Sequence, residues 1–301
     1  MQSKNQYIYL PVLKEKNITL ALKREDLIHP LISGNKYRKL KYNIIYAQEK
    51  GLETLLTFGG AFSNHILAVA VAGRENGFKT IGVIRGEELE QKWEQNPTLM
   101  QAHKKGMQFK FVSRDKYRTK ENITFIQTLK QEFGSFYTLP EGGTNTLAVK
   151  GCEEILTEDD RQFDIITTCV GTGGTIAGLI NSSYKNQEVI GFSALKGNFL
   201  KNKIEAITTK ENWELQTNYH FGGYGKVPER LVHFINDFKK KTGIPLDPIY
   251  TGKMLFGLLD MIKNDNFVSG NRILAIHTGG LQGIAGMNMV LKKKNLPLLN
   301  I

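Results

Sequence analysis

Cysteine is scarce in this 301-residue chain, which contains only Cys152 and Cys169. Two cysteines provide no disulfide framework, and neither they nor the six scattered histidines show the spacing of a metal site. The sequence also lacks the run of about 20 apolar residues that a membrane span requires, and its longest candidate covers only residues 66–72. The first seven residues do not have the charged-then-apolar pattern of a secretory signal. We therefore expect a protein of the reducing cytoplasm, with no metal ion and no membrane partner.

Acidic residues are outnumbered by basic ones, 29 against 40, which gives a formal net charge of +11. Such an excess can indicate a nucleic-acid-binding protein. The lysine triplets 239–241 and 292–294, however, fall near predicted helix C-termini, where positive charge is favourable in any case. Aromatic residues do not alternate with these lysines, as a single-strand-binding surface would require. We expect no nucleic-acid partner and interpret the lysines as solvated surface that also attracts anionic substrates.

From residue 52 onward, β-branched apolar runs alternate with amphipathic segments. This alternation predicts an α/β fold with two open, mostly parallel, twisted sheets that carry helices on both faces. We place residues 48–158 in a small domain, and residues 1–47 together with 159–301 in a large domain. The lead-in before residue 20 is weakly patterned, and we expect an extended piece from Tyr7 to Leu13.

Glycine-containing loops follow several of the predicted strands. Because ligands collect at the carboxyl ends of parallel strands, we expect these loops to meet at one small-molecule cleft between the domains. The five loops contain Gly59-Gly60, Gly142-Gly143, Gly171 to Gly174, Gly222 to Gly225, and Gly279-Gly280.

The central loop lies in Val170-Gly-Thr-Gly-Gly-Thr-Ile-Ala-Gly178, directly after the apolar run 163–169. This pattern predicts a strand, a tight loop and a helix, whose free N–H groups and positive helix end bind an anion, most often a phosphate. A glycine-rich turn without a ligand is the alternative, and the loop by itself does not decide between them. The loop is not a dinucleotide fingerprint, because Ile176 stands where the third glycine belongs.

Two other ligand motifs are missing as well. A nucleoside-triphosphate loop requires Ser or Thr after Gly-Lys, but Gly252-Lys253 is followed by Met254. A serine nucleophile elbow requires flanking glycines, which Ser63 lacks. A phosphate cup and a candidate reactive lysine remain.

That lysine is Lys36, which we place in the first turn of a helix capped by Ser33. The positive helix end disfavours an ammonium group there and lowers its pKa toward nucleophilic use. An exposed basic helix start is the alternative, and spacing alone favours it. A phosphate anchor combined with a reactive lysine is what pyridoxal phosphate chemistry requires.

The motifs resemble the 1-aminocyclopropane-1-carboxylate (ACC) deaminase/D-cysteine desulfhydrase family over nearly the whole chain. This family has the tryptophan-synthase-β-like fold, with pyridoxal 5'-phosphate bound between two α/β domains, and the resemblance also implies a homodimer. The resemblance rests on segments 23–27, 33–39, 59–65, 171–175 and 247–253.

The resemblance implies several cofactor-binding residues. Lys36 binds the cofactor covalently and, once the substrate has released it, moves the α-proton. Asn64 forms a hydrogen bond with the ring oxygen of the cofactor. The phosphate is held by Gly171, Thr172, Gly173, Gly174 and Thr175.

For the substrate, the resemblance implies that Ser63 and His65 face the carboxylate and that Tyr224 and Tyr250 flank the substrate. The catalytic set is then Lys36, Ser63, Tyr224 and Tyr250, with stacking and proton relay both open for the tyrosines. Core packing for Tyr250 and helix capping for His65 also remain open. We expect Lys39 to be a surface lysine.

Two positions are expected to select the reaction. ACC deaminases carry Glu and Leu where this chain has Thr251 and Thr278, as D-cysteine desulfhydrases do. A carboxylate beside the pyridine nitrogen would keep it protonated and make the ring a deep electron sink, whereas threonine hydroxyls only form hydrogen bonds with it. We therefore expect α,β-elimination from a small D-amino acid, with D-cysteine giving pyruvate, ammonia and sulfide.

The sequence leaves three alternatives open. The first is ACC deamination, the second a binding protein without catalysis, and the third an amino-acid racemase with a second base such as Ser63 or Tyr224. Ala61-Phe62 is bulkier than the small-then-Gln pair usual in the family, which leaves the size of the substrate open.

Overall fold

A computed structural model of the chain describes residues 2–32 and 34–300. These residues form ten strands in two sheets, and the strands are β1 Asn5–Ile8, β2 Thr19–Lys23, β3 Thr54–Gly59, β4 Lys79–Arg85, β5 Met107–Val112, β6 Tyr137–Leu139, β7 Ile165–Val170, β8 Glu188–Ser193, β9 Trp213–Gln216 and β10 Arg272–Ile276.

The same residues form twelve α-helices, which are α1 Pro11–Glu15, α2 Asn35–Glu49, α3 Asn64–Glu75, α4 Pro97–Lys104, α5 Arg114–Arg118, α6 Ile123–Phe133, α7 Thr146–Glu153, α8 Gly174–Ser182, α9 Phe199–Glu205, α10 Glu229–Thr242, α11 Thr251–Lys263 and α12 Gly283–Lys293. Short 3-10 turns cover Glu25–Leu27, Glu87–Leu89, Trp93–Gln95, Glu141–Gly143 and Glu158–Gln162.

The larger sheet has the strand order β1-β2-β10-β7-β8-β9. All neighbouring strands are parallel except β1, which pairs antiparallel with β2 at the edge. Leu20 and Leu22 of β2 contribute to the core on one face, whereas Ala21 contributes to the core on the other. Both faces are buried because helices cover them, which is why these strands are almost continuously apolar.

The smaller sheet has the order β5-β4-β3-β6, and every pairing is parallel. Leu55 of β3 packs into a core with α2, α3 and α4, and Leu56 packs on the opposite face with α5 and α6. Two mostly parallel sheets with helices on both faces confirm the predicted fold class.

The domain boundaries at residues 47/48 and 158/159 stay a prediction. Helix α2 runs across the first boundary, and it packs against α7, which in turn packs against α8. These three helices connect the segment that carries Lys36 to the glycine loop before α8.

The extended piece expected from Tyr7 to Leu13 is wrong at its C-terminal end. The strand stops at Ile8, and Leu13 is buried within helix α1. Pro11 occupies the first turn of α1, where its fixed φ angle favours a helix start and its missing N–H is not needed. The predicted helix cap at Ser33 lies outside the described residues.

Within residues 2–32 and 34–300, no helix is long and apolar enough to cross a membrane. The same residues contain no group of three or more His, Cys, Asp or Glu side chains that could hold a metal ion.

Candidate active site

A cavity of about 1030 Å³ lies where the carboxyl ends of the two sheets meet. Four of the predicted glycine loops contribute a glycine to its wall, and the fifth contributes Tyr224. The predicted site residues that line it are Lys36, Ser63, Asn64, His65, Gly171, Thr172, Gly173, Thr175, Tyr224, Tyr250 and Thr278. Gly174 and Thr251 do not line it.

The glycine loop joins β7 to α8 with almost no side-chain volume. Gly173 has φ +91°, a left-handed conformation that favours glycine. A methyl group on Gly171 would lie 3.1 Å from the ring of Tyr250, and one on Gly174 would lie 2.8 Å from the Thr144 hydroxyl. Side chains here would fill the space, so the loop leaves its N–H groups and the positive end of α8 open to an anion.

Lys36 lies in the first turn of α2, as predicted. Its Nζ donates a hydrogen bond of 3.2 Å to Asn35, whose amide donates one of 2.8 Å to the Thr175 hydroxyl. Asn35 therefore connects the lysine to the end of the glycine loop, although the two are far apart in sequence. Burial lowers the pKa of Lys36, because water that would stabilise the ammonium form is excluded.

Lys39 is not a surface lysine, and that prediction is wrong. Only 2 % of it is exposed, and its Nζ donates to the Gly142 carbonyl at 3.1 Å and to the hydroxyls of Thr144 at 3.0 Å and Thr172 at 3.4 Å. Burial and the nearby Lys36 lower its pKa to about 7. Residues three apart share a helix face, so the position of Lys36 also turns Lys39 into the site.

Helix α3 places the next group of polar residues. Ser63 caps the helix by accepting a hydrogen bond of 3.4 Å from the Ile66 N–H. Asn64 is the first helical residue, and its Oδ1 is buried without a hydrogen-bond partner in the described part of the chain. A buried acceptor of this kind is costly unless a ligand satisfies it.

His65 is buried behind this turn. Its Nε2 lies 2.9 Å from the Thr57 hydroxyl, which itself donates to the Leu139 carbonyl at 3.0 Å. With its own proton on Leu139, the Thr57 hydroxyl accepts from Nε2–H. Burial and the charges of Lys36 and Lys39 hold the pKa of His65 well below its usual range, so the ring is neutral.

Tyr224 and Tyr250 form an edge-to-face pair, with ring centroids 6.0 Å apart. Asp247 positions Tyr250 by accepting the N–H groups of Tyr250 and Thr251 at 2.7 and 2.9 Å at the start of α11. Burial raises the pKa of Tyr250 well above its usual value, which keeps its hydroxyl neutral. The loop of Tyr224 is held by Lys253, which donates to the carbonyls of His220 and Gly223 at 3.0 and 2.9 Å.

The two threonines expected beside the pyridine ring lie in different settings. Thr278 lines the cavity, with its hydroxyl 3.0 Å from the sulfur of Cys169. Thr251 is fully buried, and its hydroxyl accepts a hydrogen bond of 2.9 Å from the Asp247 N–H. Of these two threonines, only Thr278 therefore contributes to the cavity wall.

Sequence reasoning missed the residues that support the site from behind. Arg38 forms two hydrogen bonds of 2.9 Å with the carboxylate of Glu25, and this buried pair holds helix α2 against the start of the chain. Lys23 of the same motif pairs with Asp160 at 2.7 Å. Arg24 and Asp26 pair within the segment, whereas Lys23 and Glu25 pair with residues outside it, so the roles of these two could not be inferred locally.

Comparison with known proteins agrees with this site. Residues 2–279 match the family model described as "Pyridoxal-phosphate dependent enzyme". A Pyrococcus horikoshii protein provisionally named 1-aminocyclopropane-1-carboxylate deaminase is 31% identical, over 91% of this chain and 89% of the relative. A mitochondrial Arabidopsis thaliana protein, named bifunctional D-cysteine desulfhydrase/1-aminocyclopropane-1-carboxylate deaminase, is 29% identical, over 88% of this chain and 73% of its own.

Among solved structures, an ACC deaminase homologue superposes with a TM-score of 0.82 at 30% identity, covering 97% of this chain and 94% of the other. The agreement extends from the family motifs to the arrangement of both sheets, which confirms the tryptophan-synthase-β-like fold. The chain therefore belongs to the pyridoxal-phosphate dependent enzymes, within the family of ACC deaminases and D-cysteine desulfhydrases.

Proposed function

We propose that this enzyme catalyses α,β-elimination on a small D-amino acid, with D-cysteine and water giving pyruvate, ammonia and hydrogen sulfide. One observation supports the choice of reaction. Among the described residues, the carboxylates that line the cavity are those of Glu88 and Glu141, and both lie at its entrance. In addition to Lys36, the polar groups that line the cavity wall include the Thr278 hydroxyl and the Cys169 thiol. Asp247 lies nearby, but backbone N–H groups occupy its oxygens.

The residues present fit pyridoxal phosphate. The open glycine cradle and the buried Lys39 amine match a phosphate, and the unsatisfied Asn64 Oδ1 matches a polar substituent of the ring. When bound, the cofactor supplies an electrophilic aldehyde and an electron-accepting ring. We assign the phosphate to residues 171–175 with Lys39, the ring oxygen to Asn64, and the ring nitrogen to the side of Thr278.

Lys36 acts as the base. Its lowered pKa increases the fraction of neutral amine near pH 7, and this amine accepts the α-proton of the substrate. The electron pair left at the α-carbon forms the double bond to the β-carbon, and the bond from the β-carbon to sulfur breaks with its electron pair on sulfur. The weaker electron sink expected with Thr278 suffices for a thiolate leaving group, whereas opening a cyclopropane requires a stronger one.

The remaining residues bind and orient the substrate. Ser63 and the N–H groups at the start of α3 bind the carboxylate, since the positive helix end favours an anion there. His65 is buried and neutral, so we place it beside the carboxylate as an uncharged support. The neutral hydroxyls of Tyr224 and Tyr250 flank the substrate and donate a proton to the departing sulfur.

The test is 2-oxo acid release by the cofactor-loaded enzyme, measured as pyruvate from D-cysteine, L-cysteine and β-chloro-D-alanine and as 2-oxobutanoate from ACC. Turnover of D-cysteine and β-chloro-D-alanine, with ACC and L-cysteine much slower, is the expected result. Turnover of ACC alone would overturn the proposed reaction.

ACC deamination is the second candidate, because relatives named for it cover most of this chain. The panel above separates the two reactions directly. The homodimer and the cytoplasmic location stay predictions; sedimentation of the purified enzyme tests the first, and fractionation of cells tests the second.

A further inference from the structure

A second feature of the cavity lies at its entrance, on the side of the smaller sheet. Arg85 ends strand β4, and its guanidinium lines the cavity 5.7 Å from the ring centroid of Tyr117. A methyl group on Gly60 would lie 3.5 Å from its Nη2. Within residues 2–32 and 34–300, this guanidinium has no hydrogen-bond acceptor and no carboxylate partner.

Three other cations that line this cavity have carboxylate partners. Arg114 pairs with Glu88 at 2.6 Å, Arg118 pairs with Asp115 at 2.8 Å, and Lys120 pairs with Glu141 at 3.3 Å. An arginine presents five N–H donors in a planar fork that suits a carboxylate or a phosphate. Arg85 therefore differs from its neighbours in having this donor set free.

Tyr117 supplies an independent observation beside it. Only 3 % of this residue is exposed, it lines the same cavity, and its hydroxyl is buried without a hydrogen-bond partner in the described part of the chain. Burial and the nearby carboxylate of Glu141 raise the pKa of Tyr117, so the hydroxyl keeps its proton. Glu141 is itself paired with Lys120, so the hydroxyl can turn to donate to a bound anion. An unsatisfied buried donor next to an unpaired guanidinium matches the needs of an oxyanion.

We infer that Arg85 and Tyr117 bind an anionic group in the side chain of the substrate. The natural substrate is then a β-substituted small amino acid whose leaving group carries a carboxylate or a chemically similar oxyanion. This inference rests on the proposed elimination and deepens it, because it names the class of leaving group. The cavity of about 1030 Å³ has room for such a group beside the cofactor, whereas D-cysteine leaves the entrance unfilled.

The α-carboxylate is a separate anion with its own site. Ser63 and the start of α3 follow strand β3, next to Lys36, whereas Arg85 ends the neighbouring strand β4, where it is exposed at the entrance. A substrate with its α-carbon at Lys36 and its carboxylate at α3 directs its side chain toward the tyrosines. Arg85 is close enough to Tyr224 and Tyr117 for its charge to act on both hydroxyls, although burial raises the pKa of each overall, so it lies along that path.

The test compares two substrates of nearly equal shape, S-carboxymethyl-D-cysteine and its uncharged amide S-carbamoylmethyl-D-cysteine. We expect the loaded wild-type enzyme to prefer the acid by about 10–100-fold in kcat/KM, as a charge-assisted contact predicts. Arg85→Gln should remove most of this preference, and Tyr117→Phe should reduce it several-fold. Arg118→Gln is the matched control, because its ion pair lies on the same rim, and it should retain the preference.

A binding measurement separates this inference from the elimination reaction itself. Calorimetry with 3-(carboxymethylthio)propanoate and its carbamoylmethyl analogue, which lack the amino group and do not react, should show the same loss in Arg85→Gln. If the wild type turns over no D-amino acid, the proposed reaction fails while calorimetry still decides the anion site. An equal loss for acid and amide, or an unchanged preference in Arg85→Gln and Arg85→Lys, would overturn the inference.

Discussion

The floor of the cavity and its mouth differ in how far their charged groups are exposed to solvent. The floor consists of Lys36, Lys39 and the loop Gly171–Thr175, where the amines are withdrawn from solvent and hydrogen-bonded to neighbours. The mouth consists of Arg85, Tyr117, Glu141 and Tyr224, where Arg85 and Tyr224 are exposed to solvent. Burial at the floor lowers the pKa of both lysines, whereas the guanidinium at the mouth stays charged.

This difference indicates that the two regions bind different ligands. A buried, pre-ordered anion site suits a ligand that stays in place, which is the part we assign to the cofactor phosphate. An exposed cation with a free donor fork suits a group that enters and leaves with every turnover. We therefore propose that the floor holds the cofactor and that the mouth selects the substrate.

The largest expected effect on activity comes from a substitution in the floor of the cavity. Lys36→Ala should lower kcat by at least about 10³-fold, because the base that moves the α-proton is lost. Borohydride treatment followed by mass spectrometry should fix the cofactor to the wild-type peptide containing Lys36 and not to the variant. Lys203→Ala, an exposed lysine at the entrance, is the control and should behave as the wild type. Retention of normal turnover by Lys36→Ala would remove the amine from the mechanism.

The second prediction distinguishes the affinity for the cofactor from the catalytic rate of the loaded enzyme. Lys39→Met should weaken cofactor binding by about 10–100-fold, since a charge-assisted contact contributes about 1.5–3 kcal/mol. The kcat of the fully loaded variant should change far less, because Lys39 faces Thr144 and Thr172 of the phosphate site. Cofactor titration followed by absorbance measures the first quantity. An unchanged dissociation constant would exclude the assigned contact.

The third prediction concerns the support of the mouth. Lys253→Met leaves the carbonyls of His220 and Gly223 without their buried donor, so the loop carrying Tyr224 should loosen. We expect kcat/KM to fall about tenfold, with faster amide hydrogen exchange over residues 220–225. Lys263→Met, at the exposed end of the same helix α11, is the control. Faster exchange with undiminished kcat/KM would show that Tyr224 does not need a fixed position.

The smallest effect is a pH dependence of stability in the protein without cofactor. The pKa of Lys39 is lowered from 10.5 to about 7 on folding, so between these values the unfolded chain binds more protons than the folded one. Stability must then rise with pH, by at most about 1.4 kcal/mol per pH unit. From pH 7 to 8.5 we expect urea unfolding to show a gain of about 1–2 kcal/mol.

Lys39→Met should reduce this slope, leaving the contributions of Lys36, whose pKa is also lowered, and of Lys253, whose pKa is lowered to about 8. A slope that is equally steep in both proteins would assign the pH dependence to other groups.

Part of the architecture followed from local pattern. The alternation of apolar runs and amphipathic segments correctly predicted parallel sheets with helices on both faces, because both faces of such strands must be buried. Leu13 escaped this reasoning, since one turn of helix after Pro11 is too short to show a period.

The site was predictable where a motif is continuous in sequence. The loop 171–175 and Lys36 at the start of α2 were found in this way, and Asn35 connects them. Lys39 was wrongly predicted to lie on the surface, although its spacing of three residues from Lys36 indicates that both lysines share one face of the helix. Thr251 was expected at the cofactor, but its hydroxyl is engaged with Asp247, a contact that only the fold of the 247–251 turn reveals.

The sequence by itself determined the fold class, since the apolar alternation depends on neighbours within a few residues. It predicted the loop 171–175 as an anion site and, through the family resemblance, Lys36 as the reactive amine. Only the tertiary structure decided that Lys39 is buried and, within residues 2–32 and 34–300, that Asn64 has an unsatisfied acceptor and that Arg85 lacks the carboxylate partner found for Arg114, Arg118 and Lys120. The physical reason is that burial and pairing depend on which remote segments pack together. A side chain's charge and hydrogen bonds are therefore properties of its surroundings and not of its place in the chain.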